Sequence, residues 1–345
     1  MKPVRQGFSP RTIGLAAAVV TVLIWTSFIV IARASADPQR GGALTPLDIA
    51  FARVLGAAMV LLPWGWWLVR RDRARPDPAG LPPREASLWG LSPLSLRLTA
   101  TVGVFGGLLY APLAYSGFAF APAAHASVLM PGSLPLWTAL LALVLLRERL
   151  TQARALGLAC IIAGGLLVGG PSLLHGFDGG TVWKGDLLFI CAAFCWSVYS
   201  VLARRHRLDA VRATIAITAF AFFTYVPVYA LLVALQAVPS HLFGAPSAEL
   251  LFQMAFQGLG SVVISGISFT RMIQYFGPVR STMITALVPG LSAFGAVLFL
   301  GEPLYWNLAA GLALVTLGIV FGVRAGSIGA APNQPVRGAT LRAER

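Results

Sequence analysis

The chain has 345 residues, of which 57% are hydrophobic and only 11% are charged, and its mean hydropathy is +0.78. Because soluble domains carry about 25% charged residues, this composition indicates a membrane protein and excludes a cytosolic enzyme, a DNA-binding module and a secreted disulfide scaffold. The net charge is +14, and the basic residues that produce it lie at the ends of apolar segments rather than on one face. This distribution favours membrane topology over nucleic-acid binding, so the lipid bilayer is the expected partner and nucleic acid is not.

Ten apolar segments follow one another along the chain, each long enough to cross a hydrocarbon core of about 30 Å as a helix. In lipid, only a closed β-barrel or an α-helix satisfies all backbone hydrogen bonds. Barrel strands alternate polar and apolar residues, and these segments do not show that alternation, so they are predicted to be helices. We therefore predict an all-α integral membrane protein with ten transmembrane helices. In chain order the segments are 12–34, 47–69, 98–118, 123–146, 154–174, 185–204, 212–236, 250–274, 279–300 and 304–323.

The first segment follows basic residues and ends in small ones, as a signal peptide does. Its apolar run of about 20 residues exceeds the roughly 7 to 15 of a signal core, so we expect it to remain as a span. With residues 1–11 in the cytoplasm, 22 of the 26 Lys and Arg residues lie on the cytoplasmic side. Positive loops stay inside, so both termini are expected to be cytoplasmic in the cell (inner) membrane, with 324–345 as a disordered basic tail.

The sequence contains two related halves. Residues 125–168 align without gaps on 279–322, with 12 of 44 positions identical. Apolar composition alone makes Leu and Ala coincide, but it does not place proline, glutamate and two glycines in step. The matched pairs include Ser127 with Ser281, Pro135 with Pro289, Glu148 with Glu302, Leu150 with Leu304, Gly157 with Gly311, Gly164 with Gly318 and, at a second offset, Trp25 with Trp196 and Arg33 with Arg204.

Each half holds five predicted spans, and an odd number puts equivalent points on opposite sides of the membrane. Inverted repeats of this kind recur in secondary transporters, because the two halves can exchange conformations and open one site to either side. We predict two inverted five-helix repeats at 12–174 and 185–323, joined by a periplasmic linker at 175–184.

These features resemble the EamA family of the drug/metabolite transporter (DMT) superfamily over roughly residues 12–323. The resemblance rests on ten spans in two halves, Trp25 in the first span, Arg53 near the start of the second, and a closing pattern in each half. That pattern consists of Pro135, Glu148, Gly157 and Gly164 in the first copy and of Pro289, Gly301, Glu302, Gly311 and Gly318 in the second. The resemblance implies a basket-like helical bundle around a central cavity, exporting amino acids, related metabolites or toxic compounds.

Arg53 is the one charge placed well inside a predicted span. An intramembrane cation is costly unless it has a partner, so it is a functional candidate by default. If it lines a cavity, its guanidinium can bind a substrate carboxylate in a bidentate manner. The alternative is that it snorkels to the interface or pairs with Asp48.

Further cavity candidates are aromatic and polar residues within the spans. Aromatic residues can form a wall for amphipathic solutes, although they more often serve helix packing. The polar residues face either water or a neighbouring helix, and Gln253, Gln257 and Ser261 are expected to share one helix face because they are spaced by four. The candidates are Trp25, Tyr110, His125, Trp196, Tyr199, Gln253, Gln257 and Ser261.

Two prolines and two glutamates occupy equivalent positions in and just after the fourth and ninth segments. Pro135 and Pro289 fall near the midpoints, where a missing N–H bends or opens a helix, so they are helix-break or gating candidates; packing kinks are the alternative. Glu148 and Glu302 close these segments and are interpreted as structural caps or gate anchors paired with a basic residue. No acid lies at the centre of a predicted span. Proton coupling would therefore need His125 or an acid at the end of a span, and facilitated diffusion without coupling is the alternative.

Other function classes find little support. The sequence has no phosphate-binding loop for ATP, no H-E-x-x-H motif and no Cys/His metal spacing, so we expect no cofactor, metal or catalytic residue. His125 and Ser127 come nearest to a protease pair, but their spacing points them to different helix faces. We predict a secondary transporter that exports a small-molecule substrate such as an amino acid. Multidrug efflux is the alternative, and a scaffold or an intramembrane enzyme is the rival class.

Overall fold

A computed structural model describes residues 10–37, 40, 42–74, 85–145, 151–285 and 287–327, and the named elements of this part are all helical. The predicted all-α class is confirmed here. Glu148 and the tail from residue 328 onward lie outside the described residues. In chain order the α-helices are α1 (Pro10–Ala36), α2 (Pro46–Arg73), α3 (Leu96–Gly103), α4 (Tyr110–Phe120), α5 (Ala123–Leu129), α6 (Leu134–Leu145), α7 (Gln152–Gly176), α8 (Val182–Arg205), α9 (Ala210–Ala234), α10 (Ser247–Gln253), α11 (Ser265–Ile284), α12 (Leu287–Leu300) and α13 (Trp306–Ser327).

Eight helical segments of the described part are long and apolar enough to cross a membrane. They follow the first eight predicted segments, so the multi-pass membrane class is confirmed. Two shorter apolar helices, Leu287–Leu300 and Trp306–Phe321, cover most of the ninth and tenth segments. The eight are Arg11–Ala36, Pro46–Arg73, Leu96–Phe120, Ala123–Leu145, Ala155–Gly176, Val182–Arg205, Ala210–Ala234 and Ser247–Gly277.

The fourth predicted segment is interrupted rather than bent at its proline. α5 ends at Leu129 and α6 begins at Leu134, so Pro135 is the second residue of α6 and the break lies upstream of it. A proline ring clashes with the carbonyl four residues earlier, here that of Pro131. The helix therefore opens on the N-terminal side of Pro135.

The ninth segment is divided in the same way. α11 ends at Ile284 and α12 begins at Leu287, so Pro289 is the third residue of α12 and its ring excludes the carbonyl of Thr285. Within α11, Gly277 has a φ of 78° and ends the eighth span. The two breaks thus occupy equivalent positions of the sequence repeat, and each leaves a helix that begins inside the bundle.

Two segments have π-helical turns, which the residue pattern does not predict. They are Val104–Leu109 in the third predicted segment and Met254–Ile264 in the eighth. Each lies at a close backbone crossing. A Cβ on Gly107 would lie 2.6 Å from the carbonyl oxygen of Ile217 in α9, and one on Gly56 of α2 would lie 2.3 Å from that of Met254. Such turns are frequent at functional sites.

α7 and α13 pack against each other through glycines. A Cβ on Gly318 would lie 2.4 Å from the Gly157 oxygen, and a Cβ on Gly164 would lie 2.6 Å from the Gly311 oxygen. Glycine lets the two backbones approach this closely, as small residues do at helix crossings in membranes. Exchanging each glycine for its repeat partner turns one contact into the other, so the crossing is symmetric under the sequence repeat.

Gly164→Ala is expected to lower the free energy of unfolding by about 1–3 kcal/mol, because the new methyl group would overlap the Gly311 carbonyl. Gly170→Ala in the same helix is the matched control, since no atom lies within 4 Å of its Cβ position. Thermal unfolding in detergent measures both variants. Equal midpoints for the two would contradict this packing.

The buried core lies in the middle of the bundle. Its larger cluster joins α1–α6, α8, α9, α11 and α12, and a smaller one joins α5, α7 and α13. The larger cluster includes Phe28, Met130, Leu134 and Trp196. These four side chains also border a central cavity, so the same packing that holds the helices together shapes its wall.

Candidate substrate cavity

A cavity lies between α1, α2, α4, α8 and the two interrupted segments. Its wall is mostly aromatic and aliphatic, with one charged side chain. Small-molecule sites are typically lined in this way, by apolar and aromatic side chains with a few polar groups. The lining residues are Trp25, Phe28, Ile29, Arg53, Tyr110, Met130, Pro131, Leu134, Ala193, Trp196, Ser261 and Val288.

Arg53 is the charged residue of this wall, and only 6% of it is exposed. Its Nη1 donates to Ser261 Oγ at 2.8 Å and to Tyr115 Oη at 3.3 Å. The guanidinium carbon lies 5.9 Å from the ring centre of Phe28 and 5.8 Å from that of Tyr110. No carboxylate of the described residues forms an ion pair with Arg53, so the wall holds a buried cation without an internal counterion.

Asp48, the alternative partner of Arg53, belongs to a separate hydrogen-bond network. It is fully buried and forms a reciprocal capping box with Thr45 at the start of α2. Its carboxylate also accepts the Tyr229 hydroxyl at 2.6 Å, the Ser240 hydroxyl at 2.7 Å and the His241 backbone N–H at 2.9 Å. The network ties α2 to α9 and to the loop that follows α9, and so it positions the turn of α2 that carries the guanidinium.

A second cavity shares two side chains with the first. Both π-helical segments contribute to its wall, through Gly106, Gly107 and Val262. The shared side chains are those of Arg53 and Trp196. The two cavities therefore adjoin at these two side chains.

Four of the predicted aromatic candidates lie in one cluster centred on Trp196. Its ring centre lies 6.0 Å from that of Trp25, 4.9 Å from that of Tyr110 and 5.2 Å from that of Tyr199. Phe269 joins the cluster at 4.8 Å from Trp25. Tyr199 does not line either cavity and therefore supports the wall from behind.

A polar layer backs the wall next to Arg53. The Tyr115 hydroxyl donates to Gln257 Oε1 at 2.7 Å, and Trp25 Nε1 donates to Ser265 Oγ at 3.3 Å. Two buried nitrogen donors, Gln257 Nε2 and Trp196 Nε1, have no hydrogen-bond partner in the described part of the chain. This layer therefore offers unused N–H donors, and it contains no carboxylate.

Two of the predicted candidates lie away from the cavities. His125 Nδ1 is 2.8 Å from Asp186 Oδ1, between α5 and α8. Gln253 Nε2 donates to Ser35 Oγ at 2.8 Å, between α10 and α1. Both side chains are thus used in contacts between helices, which is the alternative considered for polar residues in a span.

Sequence reasoning missed several residues of the site. Met130 and Pro131 line the cavity because the fourth segment opens upstream of Pro135 rather than at it. Phe28 follows Trp25 by three positions, and this spacing is a signal that would have placed both rings on one face of α1.

Glu302, one of the two predicted caps, joins four helix ends on one side of the bundle. Its Oε1 lies 3.0 Å from Arg33 Nε, and its Oε2 accepts the Ala123 backbone N–H at 3.0 Å. Arg33 also donates to the Phe118 carbonyl at 2.9 Å. One carboxylate therefore holds the ends of α1, α4 and α12 to the start of α5, the half-helix that leads to the cavity.

Glu302→Gln is expected to lower the free energy of unfolding by about 1–2 kcal/mol, because it removes the charge that pairs with Arg33. Arg33→Gln should have a similar effect, and the double variant should lose little more, since each change breaks the same ion pair. Thermal unfolding of the four proteins measures this coupling, with Asp178→Asn as an exposed control. Strictly additive losses would show that the two side chains act independently.

The model of the EamA-like transporter family matches residues 12–170 and 183–324. An uncharacterized transporter of Bacillus subtilis (strain 168), YyaM, is 24% identical over 237 residues, which are 66% of this chain and 72% of the relative. An uncharacterized transporter of Archaeoglobus fulgidus is 31% identical over 206 residues, covering 59% of this chain and 62% of the relative. One crystal structure of a protein aligns with a TM-score of 0.57 at 22% identity, covering 93% of this chain and all of that one, and so shares its fold.

Proposed function

This chain belongs to the EamA-like transporter family, and we propose that it is a secondary transporter that exports small carboxylate metabolites, such as amino acids, across the cell (inner) membrane. The observation that carries this proposal is Arg53, a buried guanidinium on the wall of an aromatic cavity, with no acid of the described residues as its partner. A substrate carboxylate would be its counterion, and the apolar wall would take the rest of the molecule.

The mechanism that we propose is alternating access between two inverted five-helix repeats, ten transmembrane helices in all, with both termini in the cytoplasm. The sequence repeat, the symmetric crossing of α7 and α13, and the helix breaks upstream of Pro135 and Pro289 support this arrangement. The two cavities that share Arg53 and Trp196 in their walls support a path that passes these side chains.

Efflux of aromatic drugs or other toxic compounds is the second candidate function. The cluster of Trp25, Tyr110, Trp196 and Phe269 favours it, because aromatic faces bind planar and amphipathic molecules without regard to a carboxylate. For such substrates, Arg53 would serve the structure of the wall rather than binding.

Purified protein in liposomes tests these alternatives through uptake and release of labelled amino acids, with and without an imposed pH gradient. We expect saturable flux that empty liposomes lack. Acceleration by the gradient would indicate proton coupling, for which His125, in contact with Asp186, is the candidate residue, and unchanged flux would indicate facilitated diffusion. Transport of aromatic cations without any flux of carboxylates would favour the second candidate.

A further inference from the structure

The groups around Arg53 include hydrogen-bond donors that have no acceptor among the described residues. Arg53 uses Nη1 for both of its hydrogen bonds to the described residues, which leaves Nε and Nη2 for a ligand. The indole nitrogen of Trp196, a residue 6% exposed, and the amide nitrogen of the fully buried Gln257 have no partner in the described part. Buried donors without acceptors are costly, so a site that keeps them is suited to a ligand that supplies acceptor oxygens.

The described residues that line the two cavities include no aspartate or glutamate. The two buried acids of the same part of the chain are engaged elsewhere, Asp48 by four neighbouring residues and Asp186 by His125, and the partly buried Glu302 pairs with Arg33. A ligand ammonium group would therefore lose its water without gaining a counterion, and it would do so beside a guanidinium of the same sign.

The interrupted helices add to the same preference. Leu134 is the first residue of α6 and Val288 is the second residue of α12, and both line the cavity. Each of these helices thus begins at the cavity wall, where the partial positive charge of a helix N-terminus favours anions. The unpaired indole nitrogen of Trp196, which lines the cavity, points to the same class of ligand independently.

We propose that the Arg53 site selects carboxylates that lack a free ammonium group, such as aromatic or aliphatic organic acids and N-acylated amino acids, over zwitterionic amino acids. This inference rests on the proposed transport function and narrows its substrate class. The carboxylate binds Arg53 and the Trp196 N–H, and the aromatic wall holds the apolar body. Arg53 already lies over Phe28 and Tyr110, so these two aromatic faces do not compensate an ammonium group.

Three ligands with the same ring and nearly the same chain separate the possibilities: 3-phenylpropionate, L-phenylalanine and 2-phenylethylamine. Calorimetric titration of the purified protein is expected to give a Kd for 3-phenylpropionate at least about tenfold below that for L-phenylalanine, and no binding of the amine. Tighter or equal binding of L-phenylalanine, binding of the amine, or no binding of the acid would each overturn the proposal.

Two variants link this preference to the named groups. Arg53→Gln should abolish binding of 3-phenylpropionate, and Trp196→Phe, which keeps a ring but removes the N–H, should weaken it about tenfold. Flux in liposomes is read separately. Saturable flux of amino acids but not of 3-phenylpropionate would reject the narrower substrate class and leave the transport function standing, whereas a lack of saturable flux for every compound would reject the transport function itself.

Discussion

Arg53→Gln is expected to reduce the saturable flux of a carboxylate substrate by about 100-fold, because it removes a desolvated charge at the wall of the cavity. Arg53→Lys keeps the charge but loses the planar fork that matches a carboxylate, so its flux should lie between those of the wild type and the glutamine variant. Initial rates in liposomes, normalised to the amount of inserted protein, measure both changes.

The stability of the same variants distinguishes binding from a structural role. No acid of the described part pairs with Arg53, so its neutral replacement removes a buried charge without leaving another one unpaired. The thermal midpoint of Arg53→Gln should therefore stay the same or rise while flux is lost. Arg271→Gln, at an exposed position of α11, is the control and should retain flux. A large fall in the midpoint of Arg53→Gln would assign this residue to the structure instead.

Much of the cavity wall could be predicted from the sequence, because its residues are of types that are unusual inside apolar membrane segments. Arg53 is a charge in an apolar run, and Trp25 and Trp196 lie inside spans rather than at the interface, where tryptophan is usually found. The structure places all three on the cavity wall. His125 also departs from its segment, yet it meets Asp186 away from the cavity. Helices that are apolar on all sides have no amphipathic face from which their rotation can be derived.

Features that depend on contacts between distant segments could not be derived from local pattern. Pro135 predicts a helix break, but the break lies upstream of it because the proline ring excludes the carbonyl four residues earlier. As a result, Pro131 rather than Pro135 lines the cavity. The π-helical turn at Met254–Ile264 lies where Gly56 and Gly258 let two backbones touch, and a single segment does not reveal its crossing partner.

Asp48→Asn is expected to lower the free energy of unfolding by about 3 kcal/mol and to reduce flux as a consequence. The carboxylate of Asp48 accepts hydrogen bonds from Thr45, Tyr229, Ser240 and the His241 backbone, so an amide would turn an NH2 group toward buried donors. Thermal unfolding should show a fall in the midpoint of about 4 °C.

Asp209→Asn is the matched control, because Asp209 also begins a helix but is exposed and accepts only the Arg212 backbone N–H in the described network. Asparagine is a good helix cap, so this variant should differ little from the wild type. Equal midpoints for the two variants would show that Asp48 acts only as an ordinary helix cap. A lower midpoint for Asp48→Asn alone would show that this carboxylate anchors α2. For Asp48→Asn, flux should fall in proportion to stability, whereas for Arg53→Gln flux should be lost while the fold is kept.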